Sequence, residues 1–453
     1  MRREQDTFER AGKAQRRPTT GGGASNGQYE TKGVVVMSGS VTIFHNVVWS
    51  RHKGQVFSAL HRLHGQGSIR YTVVQIAETE HMRLGFSEVD YSVHQYPMRQ
   101  LFEGCYEDVP RWKMTLRLVG EVLRSDSRVV VLPGYHLPEF WAMLLACIVT
   151  GKRRAVFCDS TGRDRPRRLL TSLPKRLFFA LCQGYFGFGE RSREYLESLG
   201  ARRDRIFIPC QAAALPAGYT PEQALARRLL ARTPKAAAPD AADAPDAPPP
   251  EPQAPVFLYV GRLSEEKGLD TLLEAFASLL PSMPSATLRV AGSGPMDERL
   301  RERIGALRLD GAVMLLGSVN GAALEAEYDR ATCLVLPSYS EPWGLVVNEA
   351  LAHGCPVVVS DNCGCVPELV HEGETGLVVP PRDVPALAAA LDQAVRLFAD
   401  TRATALHCIE LIHRFDPAAA ATHIDRGCVS LLRGTTRAAP HPVAEAEAHR
   451  SSQ

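Results

Sequence analysis

A chain of 453 residues with 45% hydrophobic and 23% charged residues has room for two domains of ordinary size and the balance of a soluble globular protein. Its net charge of +2 gives no general attraction to nucleic acid, and its longest apolar run, about ten residues at 140–149, is well short of the roughly 20 that span a bilayer. Eleven cysteines without a repeated spacing, and a Cys363-Gly-Cys365 pair with no second pair to match it, exclude a disulfide framework and a structural zinc site. They suit a reducing, cytoplasmic setting.

Residues 1–33, rich in Arg, Gln, Thr, Gly and Ser, lack the apolar stretch of a secretory signal and read as a disordered leader. Apolar runs at 34–36 and 41–44 flank a Ser-Gly-Ser turn, and Val56, Ala59, Leu60 and Leu63 are then spaced as a helix face. The intervening loop, Val48-Trp49-Ser50-Arg51-His52-Lys53-Gly54-Gln55, holds one glycine and added cations. Gly54 either approaches a ligand phosphate or merely starts the helix.

Strands are expected at 71–76 and 129–132. The second leads into His136, at a strand's carboxyl end, which either contacts a ligand or serves as a structural hydrogen-bonding group. The next strand, 155–158, ends at Asp159. From 151 to 205 there are 14 Lys plus Arg against 6 Asp plus Glu, a local excess of +8. With the apolar positions of 175–182 this describes either a segment resting on an anionic membrane or lipid diphosphate, or a core helix with a basic rim. Strands at 185–188 and 206–208 complete an N-terminal domain over 34–215. The Ala, Pro, Asp and Glu of 236–255 cannot bury a core, so 216–255 reads as the linker.

Residues 256–381 alternate short apolar runs, glycine-bearing loops and helical segments, the pattern of a parallel sheet with crossover helices. The strand at 256–260 (VFLYV) opens into Gly261-Arg262-Leu263-Ser264-Glu265-Glu266-Lys267-Gly268. The strand at 333–336 runs into Pro337-Ser338-Tyr339-Ser340-Glu341-Pro342-Trp343-Gly344, then Leu345 and a helix carrying Glu349. Ligands of open α/β sheets bind outside the carboxyl ends of the strands, so Arg262, Lys267, Glu341 and Glu349 are expected at one crevice. Arg262 and Lys267 suit phosphate oxygens. The carboxylates suit sugar hydroxyls, and the helix start after Gly344 suits a departing diphosphate. A nucleotide sugar would use all of these groups.

The 261–268 motif, the Glu341 and Glu349 pair, Asn348-Glu349-Ala350-Leu351-Ala352-His353-Gly354-Cys355-Pro356-Val357-Val358 and Pro367-Glu368-Leu369-Val370 resemble the retaining glycosyltransferases of family 4. The resemblance covers 256–381 well and the N-terminal half in outline. It implies the α/β GT-B fold, two Rossmann-like domains facing across a cleft. The C-domain (256–412) would hold the donor, the N-domain the acceptor, and a helix near 415–432 would return to the N-domain before a disordered tail at 434–453. It implies Arg262, Lys267 and Glu341 as catalytic groups and Gly261, Gly54, Pro342, Trp343, Gly344, Leu345 and Glu349 around the donor. Family members often have a histidine where Asp159 stands and paired glycines where Gly54 stands alone, so His136 and Asp159 are candidates for orienting sugar or acceptor.

The expected reaction moves a hexose from a nucleoside diphosphate to an acceptor hydroxyl with retention, without metal or other cofactor. A lipid-linked glycan at the inner face of the membrane is favoured over a soluble acceptor by the basic segment. A glycosidase pair is disfavoured because the neighbouring cations keep both carboxylates ionised. An oxidoreductase using Gly292-Ser293-Gly294-Pro295 is disfavoured by the proline and by the missing ribose acid. A non-catalytic nucleotide-sugar scaffold stays open.

Overall fold

The computed structural model describes residues 39–64, 69–83, 88–163, 169–233 and 253–434. Apolar runs become strands and the segments between them helices. In chain order these are β1 (Gly39–Val47), α1 (Arg51–His64), β2 (Ile69–Ala77), β3 (Met98–Gln100), α2 (Arg111–Arg124), β4 (Val129–Leu132), α3 (Pro138–Val149), β5 (Arg153–Cys158), α4 (Leu169–Leu181), β6 (Gly184–Gly187), α5 (Glu190–Ser198) and β7 (Ile206–Phe207). All pair in parallel, in the order β3-β2-β1-β4-β5-β6-β7.

After α6 (Pro221–Ala231) come β8 (Val256–Val260), α7 (Leu269–Leu279), β9 (Thr287–Ala291), α8 (Asp297–Ala306), β10 (Val313–Gly317), α9 (Gly321–Arg330) and β11 (Cys333–Leu336). The chain continues through α10 (Leu345–Ala352), β12 (Val357–Ser360), α11 (Val366–Leu369), β13 (Gly376–Val379), α12 (Val384–Leu397), α13 (Thr401–His413) and α14 (Pro417–Arg433). This second sheet is also parallel, in the order β10-β9-β8-β11-β12-β13. In both sheets the chain builds outward from its first strand to one side and then returns to the other, so β1/β4 and β8/β11 are switch points where ligand crevices form.

Two differences from the sequence reading have clear causes. Gly39 and Ser40 are not in a turn: they pair with Ile69 and Arg70 as the start of β1, because a parallel partner satisfies their backbone groups. The first part of the expected linker is helical. Thr220 caps α6 by accepting from the Gln223 N–H, and the buried Arg228 donates to the carbonyls of Tyr328 and Asp329. Those contacts tie α6 to the second domain, which propensity alone could not show. The expected strand at 34–36, the leader, most of the Ala/Pro stretch and the tail beyond Gly434 lie outside the described residues.

Helix α14 packs on α1 and against β6 and β7 of the first sheet. Asp425 holds it there, accepting from Tyr71 Oη at 2.6 Å and pairing with His64 Nε2 at 2.6 Å. The approach is close: a Cβ on Gly427 would lie 2.3 Å from the Phe186 ring and 2.9 Å from that of Phe207. Gly427→Ala is therefore expected to destabilise the protein by about 1–3 kcal/mol through overpacking. Gly305→Ala, in α8 with nothing within 4 Å of the new methyl, should instead stabilise it by about 0.5–1 kcal/mol. Paired urea unfolding curves check both, and equal effects would refute the packing argument.

Candidate active site

The β8 end is built on glycine. Gly261 has φ +152°, and a Cβ on Gly292 would fall 1.8 Å from its carbonyl oxygen, so the two strand ends approach as only glycine allows. Arg262 follows, its Nε donating to Ser264 Oγ at 3.2 Å and its guanidinium paired with Glu266. Burial alone would raise the Glu266 carboxyl; hydrogen bonds from Ser264, the backbone and Arg262 outweigh it and hold the group below its ordinary value. Gly268 (φ +73°), where a Cβ would sit 2.2 Å from Pro337 O, turns the chain so that Lys267 meets the loop after β11. There Lys267 Nζ donates to Glu341 Oε2 at 2.5 Å, both side chains largely buried.

Helix α10 begins behind a left-handed Gly344 (φ +99°). Trp343 anchors this turn: its indole is only 3% exposed and its Nε1 donates to Asn348 Oδ1 at 2.7 Å. Glu349 accepts from Tyr328 Oη at 2.8 Å. Burial raises its carboxyl above the ordinary value, opposed by the Tyr328 hydrogen bond and by the charges of His353 and Arg51. Arg51 belongs to the first domain, so the two walls are electrostatically linked.

A cleft of about 670 Å³ runs between the sheets. Arg262, Lys267, Glu341 and Glu349 line its C-domain wall together with Gly261 and the 342–345 turn. The other wall carries Trp49, Arg51, His52 and Arg83, with Arg51 paired to Asp90 at 3.3 Å and the Arg83 guanidinium 4.7 Å from the Trp49 ring centroid.

Three candidate residues do not join this constellation. Gly54 lies in the first turns of α1, where a Cβ would meet Val93 at 2.8 Å and His94 at 2.9 Å; it admits the 91–94 segment. His136 and Asp159 are exposed in the loops after β4 and β5 and do not line the cleft. Burial lowers the His136 ring and the Asp159 charge pulls it back up. The residues of the 48–55 loop that reach the cleft are instead Trp49, Arg51 and His52, and the only signal for them in the sequence was the loop's added cations. Lys53 turns inward, donating to Cys210 O at 3.1 Å over the Phe188 ring, and burial lowers its amine to about 8. Arg83 gave no signal, since it ends a short 3-10 helix, His81–Arg83, that only the fold brings near.

The walls also touch directly. Arg191, 7% exposed, donates to Cys363 O at 2.6 Å and to Asp361 Oδ1 at 2.7 Å. Glu368 accepts from the Glu190 N–H at the start of α5, while its Oε2 is buried with no partner among the described residues. Burial chiefly pushes its carboxyl up to about 7, the Glu190 charge adding to this and the Glu190 N–H and Arg191 opposing it.

Residues 242–403 match the family model described as Glycosyl transferases group 1. The chain is 29% identical over 287 residues to an exopolysaccharide phosphotransferase of Streptomyces coelicolor, covering 63% of this chain and 27% of the relative. It is 42% identical over 134 residues to the glycogen synthase of Mycobacterium tuberculosis, covering 30% and 32%. With the D-inositol 3-phosphate glycosyltransferase of Nocardia farcinica the identity is 32% over 309 residues, covering 62% and 64%. The chain thus spans under a third of the first two relatives' own lengths. Among solved structures, Anabaena HepE in complex with UDP-glucose superposes with a TM-score of 0.62 at 16% identity, covering 86% of this chain and 100% of that one. Sucrose-phosphate synthase from Thermosynechococcus elongatus gives 0.62 at 20%, covering 87% and 100%. These likenesses establish a two-domain GT-B architecture.

A proton on Glu368 favours the contact between the walls. Because its carboxyl is raised there above the ordinary 4.5, the stabilisation is full below that value and is lost as pH rises through about 7. Separation of the two domains, followed by small-angle scattering from pH 5 to 8, should therefore increase with pH. Glu368→Gln should flatten the profile, and an unchanged slope in that variant would remove Glu368 as its source.

Proposed function

We propose that this chain is a group 1 glycosyltransferase, as the family match over residues 242–403 and the GT-B fold support, and that it moves a hexose from a nucleoside diphosphate to an acceptor hydroxyl with retention, the acceptor being a lipid-linked glycan in polysaccharide assembly. The observation that carries this reading is the 2.5 Å Lys267–Glu341 pair, a phosphate cation and a sugar acceptor held together where the β8 and β11 loops meet beside the start of α10. The exopolysaccharide function in one relative's name and the UDP-glucose in one neighbour's structure support the choice of donor and product class.

In this mechanism the bond from the anomeric carbon to the diphosphate oxygen breaks as the acceptor oxygen bonds to that carbon on the same face. The departing oxygen is then the nearest base for the acceptor's proton. Negative charge grows on the leaving diphosphate, where Arg262, Lys267 and the α10 N-terminus meet it in place and without reorganisation. Glu341 releases Lys267 to the phosphate and accepts from donor sugar hydroxyls. Glu349, oriented by Tyr328, accepts from the ribose. Arg51 reaches toward the same region from the first domain once the donor competes with Asp90 for it.

Lys267→Ala should lower kcat about 10²- to 10³-fold with a smaller change in donor affinity, because its partner gains charge at the transition state. Glu349→Ala should instead weaken donor binding by roughly 1.5–3 kcal/mol, since ribose hydroxyls change little during reaction. Product formation across a panel of nucleotide sugars, with calorimetric donor titrations, tests both. A Lys267→Ala variant altered only in KM would refute the assignment.

Metal independence is the companion expectation, as fixed cations already meet the diphosphate charge. Turnover should survive EDTA, and a loss restored by magnesium or manganese would contradict it.

A further inference from the structure

One side of the first sheet is covered by a helix layer whose outer surface is left apolar. Met114 and Leu118 of α2, Met143 and Leu144 of α3, and Phe178 and Phe179 of α4 fill a common core with the strands. Packing of α2 on α3, and the Trp141 ring 5.1 Å from that of Phe178, make the three helices neighbours. A helix apolar all round belongs in an interior. Helix α3 has a single charged residue, Glu139, which is 2% exposed and paired with Arg111 at 2.7 Å. Yet α3 turns Leu145 and Val149 to solvent at 55% and 84% exposure. Its neighbours do the same at helical spacing, with Trp112 and Leu116 on α2 at 69% and 66% and Leu173 and Leu177 on α4 at 61% and 56%.

The exposed charges on these three helices are of one sign. Lys113, Arg117 and Arg124 are exposed along α2. The layer's acids, Glu121 and Glu139, are buried and paired, Glu121 with Arg99 and with Arg117 at 3.6 Å, and Glu139 with Arg111. A contiguous apolar surface rimmed by polar groups marks an interaction site, and here the rim selects an anionic occupant. A second copy of the chain on a two-fold axis would bring these cations against one another. The Ala/Pro stretch at 236–255 has no Leu, Ile, Val, Phe, Trp or Met to fill the surface.

We propose that the α2–α3–α4 face docks on an anionic membrane surface, with Trp112, Leu145, Val149 and Leu173 entering the boundary between headgroups and acyl chains and Lys113 and Arg124 meeting lipid phosphates. The inference supplies the membrane side of the lipid-linked-acceptor reading and rests on it only for its purpose. The face is built from residues outside the cleft. It also moves the expected cationic contact from the 163–176 segment to α2. Lys175 and Arg176 there are already engaged, donating to Tyr195 Oη and Ser198 O, and Arg163 is paired with Asp361.

The test is sedimentation of the full chain with sucrose-loaded vesicles of phosphatidylcholine alone or mixed with phosphatidylglycerol. Binding should require phosphatidylglycerol and fall with salt. It should weaken about tenfold or more in Leu145→Glu/Val149→Glu and about fivefold per cation in Lys113→Gln and Arg124→Gln. The altered side chains are exposed, so circular dichroism should show native folding, and donor binding by calorimetry should stay unchanged. Loss of donor binding with vesicle binding intact would fault the cleft reading alone. Equal sedimentation with both vesicle types would overturn the docking proposal. So would a wild-type dimer that Leu145→Glu/Val149→Glu converts to monomer without any vesicle binding, since the face would then be a contact between copies.

Discussion

Both sheets reverse their direction of growth beside their first strand, and this constraint organises the rest of the molecule. Parallel strands need crossover helices, and right-handed crossovers running in opposite directions must leave on opposite faces. The loops at the reversal therefore part and leave a crevice. In the first sheet the crevice lies between β1 and β4 and takes the Trp49, Arg51 and His52 loop. In the second it lies between β8 and β11 and takes Arg262, Lys267 and Glu341. The cleft is thus a product of connectivity, and the loops decide only its chemistry.

That chemistry depends on near neutrality with separable charges. Lys267 with Glu341, Arg262 with Glu266 and Arg51 with Asp90 each pair a cation with a carboxylate, the first in a largely buried setting where an unpaired charge would be costly. A diphosphate entering such a site takes over cations whose positions are already set, so little reorganisation is left for the reaction step. Glu349 is different: burial raises its carboxyl, and its fixed partner is the neutral Tyr328 hydroxyl, which orients it without cancelling its charge.

The contacts between the walls have the same mixed character. Arg191 uses backbone carbonyls as well as Asp361, and Glu368 caps α5 with one oxygen while the other lacks a partner. Together with the Phe188 and Trp343 rings, whose centroids are 6.3 Å apart, such contacts hold the cleft in register. The exposed apolar side chains of α2, α3 and α4 lie outside the cleft lining.

Sequence by itself determined the two α/β units, the strands at 129–132, 256–260 and 333–336, and the grouping of Arg262, Lys267, Glu341 and Glu349. These follow from local signals: a buried parallel strand is a continuous apolar run, and its carboxyl end is marked by glycine and charge within a few residues. Tertiary structure decided what depends on contacts distant in the chain. It assigned α6 to the second domain through Arg228, about a hundred residues before the Tyr328 and Asp329 carbonyls it meets. It turned Trp343 inward to Asn348, left His136 and Asp159 outside the cleft, and gave the 48–55 loop's role to Arg51 and His52 in place of Gly54. Pattern shows which side of a helix is apolar; only the packed fold shows, as for Leu145 and Val149 on α3, that an apolar side has been left uncovered.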